Sequence, residues 1–123
     1  MRHQVVEADT AIALESGDVP VLATPRLIAW LEAATVRAAG PFLRDGQTSV
    51  GTSVRIEHRR ATAVGSTVEI SAVPPAALDG RRLTFIVRAT DSTGHLVAKG
   101  EIDRLIVDRA LFLDSTNGSR RRV

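Results

Sequence analysis

The sequence predicts an α+β domain in which one long helix packs on an antiparallel sheet of five strands. Three observations carry this expectation. Only one segment, between Thr24-Pro25 and Gly40-Pro41, joins helical periodicity to helix boundary residues at both ends. Four segments after it alternate apolar and polar side chains, the period of a half-buried strand. Clusters of Gly, Pro, Asp and Ser separate these segments too closely for crossover helices, which favours an antiparallel meander.

Taken in chain order, residues 5–14 are apolar with imperfect alternation and run into Glu15-Ser16-Gly17-Asp18, which predicts an edge strand followed by a turn. Thr24 suits a helix N-cap and Pro25 the first helical position. On the helix, Leu27, Ile28, Leu31, Ala34, Thr35 and Ala38 share one broad face, and Gly40-Pro41 ends it. Residues 48–60 form the next strand, with Val50, Val54, Ile56 and His58 on one parity and Arg55, Glu57 and Arg59 on the other. Residues 67–73 follow and stop at Pro74-Pro75. Asp79-Gly80 turns the chain into residues 82–90, and Ser92-Thr93-Gly94 leads to the last strand, 95–107. A lone apolar helix must bury its face on the sheet, which then wraps around it; that arrangement is the hot-dog fold.

A chain of 123 residues fits one domain, here residues 1–113, with 114–123 as a polar, Arg-rich and solvated tail containing Arg120-Arg121-Arg122. Apolar residues make up 44%, too many for a disordered chain, yet no stretch is long enough to span a membrane. Glu7 and Asp9 interrupt the block that a signal peptide would need, so a cytoplasmic location is expected. Absence of cysteine excludes disulfides and thiol nucleophiles, and the three histidines lack metal spacing. Dispersed arginines and an aromatic content of 3% argue against nucleic-acid binding, despite a pI near 10.3.

No nucleophile elbow, P-loop or dinucleotide fingerprint occurs. What stands out are polar residues where a core prefers apolar ones. His58 shares its parity with Val54 and Ile56, so it is either a core histidine satisfied by backbone or an active-site imidazole. Glu32 sits at the margin of the buried helix face, a surface carboxylate or a partly desolvated one. Thr24 is a helix cap or a ligand contact. Gly51 interrupts a good strand, where glycine weakens the element unless a bulge or a close approach requires it.

The segments LATPRLIAWLEAA, DGQTSVGTSVRIEHRRATAVGSTVEI, DGRRLTFIVRATD and GEIDR resemble the fluoroacetyl-CoA thioesterase family over roughly residues 18–112. The resemblance implies thioester hydrolysis, with Thr24, Glu32 and His58 as catalytic residues and Gly51 and Arg104 contacting the substrate. It also implies a homodimer, an acyl-CoA substrate and no separate cofactor, coenzyme A entering as part of the substrate. Thr24 and Glu32 are eight residues apart, about 12 Å along a helix, so the site must be extended and is expected at a dimer interface. One departure concerns specificity: the family places an aromatic lid before the threonine, whereas ESGDVPVL here has none. A different and broader acyl group is therefore expected. The alternative is a non-catalytic hot-dog protein that binds an acyl-CoA or another small ligand; a dehydratase lacks its helix motif here.

Overall fold

The structure, a computed structural model, describes residues 1–121. Strand β1 (Arg2–Gln4) leads through a 3-10 turn (Glu7–Asp9) and a long loop to helix α1 (Thr24–Ala39). Strands β2 (Gln47–His58), β3 (Thr67–Val73), β4 (Arg82–Asp91) and β5 (Leu96–Asp108) follow, and helix α2 (Arg109–Arg121) ends the described chain. One antiparallel sheet in the order β1-β3-β4-β5-β2 wraps α1, in agreement with the predicted α+β hot-dog architecture.

The core forms between α1 and one sheet face. Leu27, Leu31, Ala34 and Thr35 are buried on the helix. Opposite them lie Val68 and Ile70 of β3, Leu83, Phe85 and Val87 of β4, and Ala98, Ile102 and Ile106 of β5. Each set recurs at the period of its element, 3.6 on the helix and 2 on the strands, which is why one fold satisfies both patterns. The Thr35 hydroxyl is buried without loss because it donates to the Glu32 carbonyl at 2.7 Å.

Several expectations need correction. The sheet is not a simple meander: β3, β4 and β5 are consecutive neighbours, but β2 pairs with β5 and leaves its other edge open. The expected strand over 5–14 is absent, and the edge strand is the shorter β1. Here side chains capture the backbone: Asp9 Oδ2 accepts from Val6 N–H at 2.9 Å and Thr10 Oγ1 from Ala13 N–H at 3.2 Å, which favours turns over a ladder. A second long helix, α2, covers most of the segment read as a solvated tail. Its start is fixed by Asp108 Oδ1, which accepts from Leu111 N–H at 2.9 Å, an N-cap at the end of a strand. Residues 110–117 are exposed, and 122–123 lie outside the described residues.

A fourth correction matters for the site. Between Gly51 and Ser53 the register of β2 shifts, leaving Thr52 as a bulge. Gly51 stands opposite Arg104 and Ser53 opposite Asp103, so the side-chain parity reverses across it. Before the bulge Ser49 and Gly51 face the helix; after it Val54, Ile56 and His58 do. Val50 therefore lies on the outer face opposite Leu105, not with Ile56 and His58. Thr52 Oγ1 reaches the Asp103 carbonyl at 3.3 Å, and Arg55 forks onto the Asp103 carboxylate at 3.1 and 3.3 Å, which clamps the bulge in place.

Candidate functional site

Two side chains meet at the start of α1. Thr24 is not the cap: Ala23 holds that position, and no side chain caps this end. The Thr24 hydroxyl instead reaches across to the end of β2, with Oγ1 2.8 Å from His58 Nδ1. Nε2 of His58 is buried without a well-formed hydrogen bond. Burial pushes the imidazole below its ordinary 6.5, and the Arg60 backbone opposes this only in part. The ring is neutral at pH 7, with one nitrogen able to accept and the other to donate.

Local pairings hold the two residues in register. Leu22 N–H donates to the Thr62 carbonyl at 2.8 Å, which ties the approach to α1 onto the segment after β2, and Ala23 N–H donates to the Asp9 carbonyl at 2.9 Å, which ties it to the 3-10 turn. Arg26 lies 3.1 Å from Asp9 and braces the same corner. Between these segments opens a cleft of about 330 Å³, lined by Thr24 and His58 and by Ser16, Asp18, Val19 and Arg60 among others. The stretch without aromatics thus forms one wall of this cleft.

Glu32, Gly51 and Arg104 form a second group. Glu32 follows Thr24 by two helical turns, and its side chain is 40% exposed. A Cβ built on Gly51 would lie 2.8 Å from Glu32 Oε2 and 3.5 Å from Arg104 Nη1, so the missing side chain is what makes room for the carboxylate. Arg104 is buried on the helix-facing side of β5, where its Nε donates to Ser49 Oγ at 2.8 Å and its Nη2 to the Ser49 carbonyl at 2.9 Å. Its Nη1 stands 3.8 Å from Glu32 Oε2.

The five residues singled out from sequence thus fall into two clusters, Thr24 with His58, and Glu32 with Gly51 and Arg104. The cleft that holds the first pair is not lined by Glu32. Ser49 and the bulged Thr52 were not anticipated; a run of small polar residues, Thr48-Ser49 and Thr52-Ser53 around Gly51, was the available signal. A larger groove of about 620 Å³ lies on the outer sheet face, floored by Ile86 and rimmed by Arg55, Arg88, Lys99 and Glu101, away from both clusters. Among the described residues no group of three or more acidic, His or Cys side chains could hold a metal, and no helix is long and apolar enough to cross a membrane.

Comparison with known proteins points the same way. Residues 5–110 match the family described as fluoroacetyl-CoA-specific thioesterase. Fluoroacetyl-CoA thioesterase of Streptantibioticus cattleyicolor is 34% identical over 92 residues, covering 75% of this chain and 65% of that protein, so the match spans just under two thirds of the relative's length. Among solved structures, a fluoroacetyl-CoA thioesterase superposes with a TM-score of 0.86 at 27% identity, covering 96% of this chain and 90% of that one. A mutant of that enzyme solved with fluoroacetate and CoA gives 0.80 at 29% identity, covering 91% and 93%. A Thermus thermophilus protein described as a thioesterase superfamily member gives 0.90 at 25% identity, covering 99% and 89%.

Proposed function

Because the chain belongs to the fluoroacetyl-CoA-specific thioesterase family, we propose that it hydrolyses a small acyl-CoA thioester, with Glu32, His58 and Thr24 carrying the reaction. The observation that supports this most is the Thr24–His58 hydrogen bond at 2.8 Å, in a cleft beside an imidazole that burial keeps neutral. In this reading Glu32 takes a proton from water, and the water oxygen bonds to the acyl carbon. The carbon–sulfur bond then breaks, and the coenzyme leaves as a thiolate that collects a proton. Their shared hydrogen bond uses one of the two hydrogens that Thr24 and the neutral His58 carry, and the other is the donor to the oxygen that gathers charge in the tetrahedral intermediate. Attack by the carboxylate itself would form an anhydride and release thiol in a burst before the acid.

We also propose a homodimer. Glu32 and Thr24 are about 12 Å apart along α1, too far to act on one carbonyl from the same chain. An antiparallel partner on the open edge of β2 would bring the Gly51 end of one strand toward the His58 end of the other. Asp18 and Val19 on the cleft wall support a site that does not select for fluorine.

The test is a panel of short acyl-CoA esters assayed by free-thiol release. Wild type is expected to turn over acetyl-CoA and fluoroacetyl-CoA at similar rates, and Glu32→Gln to lose about 10²–10⁴-fold in kcat. Binding of the esters without thiol release would instead identify a non-catalytic binding protein.

A further inference from the structure

We propose that Asp18 selects the acyl group: it receives a hydrogen-bond donor, above all an ammonium, at the far end of a short acyl chain. This rests on the thioesterase reading of the same cleft. Four titratable side chains line it beside Thr24, and their charges do not cancel: Asp18, His58, Arg59 and Arg60. Burial keeps the His58 ring neutral. The Arg59 guanidinium is held 3.0 Å from Glu57 and that of Arg60 3.2 Å from Asp91, and neither carboxylate lines the cleft. The Asp18 side chain makes no hydrogen bond or ion pair among the described residues. The one uncompensated charge on the wall is therefore negative.

The loop that carries Asp18 is closed by its own backbone. Ala11 N–H donates to the Val21 carbonyl and Leu22 N–H to the Thr62 carbonyl, both at 2.8 Å, which fastens the loop just before α1. Ser16 N–H returns to the Ala11 carbonyl at 2.9 Å, and Glu15 turns the chain with a φ of 56°. At Gly17 the chain lies so close that an added Cβ would stand 3.2 Å from that of Ala11. Asp18 thus meets the cleft from a built turn, beside the apolar Val19, Val21 and Leu22. Apolar walls suit the methylenes of a short acyl chain, and an acceptor-only group next to them suits a terminal donor. A terminal methyl at that place leaves the carboxylate unpaired, and a second carboxylate is repelled.

Thiol release from β-alanyl-CoA, 3-hydroxypropionyl-CoA, butyryl-CoA and malonyl-CoA tests this, the ammonium of the first standing where the third has its terminal methyl. Wild type is expected to favour β-alanyl-CoA over butyryl-CoA by about 10–100-fold in kcat/KM, with the hydroxyl ester between them and malonyl-CoA last. Asp18→Asn should cut that ratio about tenfold and Asp18→Leu should invert it, both variants melting near wild type because Asp18 is an exposed loop residue. A wild-type ratio near one, a ratio that survives Asp18→Asn, or a preference for malonyl-CoA would each overturn the proposal, the last by giving the acyl terminus to Arg59 and Arg60. If no ester releases thiol, hydrolysis is what fails. Dissociation constants of the same four esters, measured by calorimetry on wild type and Asp18→Asn, then still decide the selectivity by the same order.

Discussion

Two glycines in neighbouring strands are needed for different reasons, and substitution separates them. At Gly51 the atom that an added Cβ would meet is the tip of the Glu32 side chain, 2.8 Å away, and this tip can swing aside. Gly51→Ala is therefore expected to fold with nearly normal stability while displacing the carboxylate, and kcat should fall about 100-fold. At Gly100 the obstacle is backbone, the Arg55 carbonyl oxygen, which is held in the β2–β5 ladder and has nowhere to go. Gly100→Ala should cost about 2–4 kcal/mol, the range of overpacking and a broken ladder bond together. Melting curves beside thiol-release rates check both; a Gly51→Ala enzyme at full rate would remove the carboxylate from that face. His58 was legible from sequence as a polar residue on a buried parity, but its partner was not, because Thr24 reads as a cap until Ala23 is seen to occupy that position.

The sheet elements differ in how they respond to acid. His3 of β1 stacks on Trp30 of α1, ring centroids 4.4 Å apart and nearly parallel, and burial lowers it from 6.5, as it lowers His58 at the end of β2. Both rings fold in the neutral form. Above pH 6.5 folded and unfolded chains hold them alike; below it the unfolded chain takes up protons that the folded one refuses, so stability falls. Asp91 at the β4–β5 turn behaves oppositely in timing. Hydrogen bonds from Thr93, with those from the His95 and Thr93 backbone, lower it to about 2, so its contribution is complete above about pH 4 and is lost only toward pH 2. The melting temperature is thus expected to be level from pH 8 to 7 and to decline below about 6.5, well before the turn titrates. His3→Phe, which keeps the stack without a titrating group, should flatten part of that decline; an unaltered slope would mean that the β1 pairing does not sense pH. Strands β3 and β4 and helix α1 were readable because their periods are regular and their ends carry Pro, Asp-Gly or Gly-Pro. The start of the chain was not, since Asp9 and Thr10 take backbone amides that an alternating pattern assigns to a ladder. Nor was the face of Val50, because a bulge changes parity without altering the residues on either side.

At the scale of the whole molecule, the open edge of β2 links the fold to the chemistry. A twelve-residue strand with one neighbour and Val54 40% exposed invites pairing with another copy. Pairing across a two-fold axis would join the Thr24–His58 cluster of each chain to the Glu32–Gly51–Arg104 cluster of its partner. If each site draws on both chains in this way, two inactive variants complement each other. Glu32→Gln and His58→Ala homodimers each lack a group at both sites. A heterodimer concentrates both defects in one site and leaves the other with an intact Glu32 from one chain and an intact His58 from its partner. Mixing equal amounts under conditions that allow exchange should make about half the molecules heterodimers, each with one working site, and restore about a quarter of the wild-type rate. Sites built within single chains would yield no recovery at any ratio, since every Glu32 would then stay with the His58 of its own chain. A monomer in sedimentation at assay concentration would exclude the proposed arrangement, because the shared site needs Glu32 from one chain and His58 from its partner.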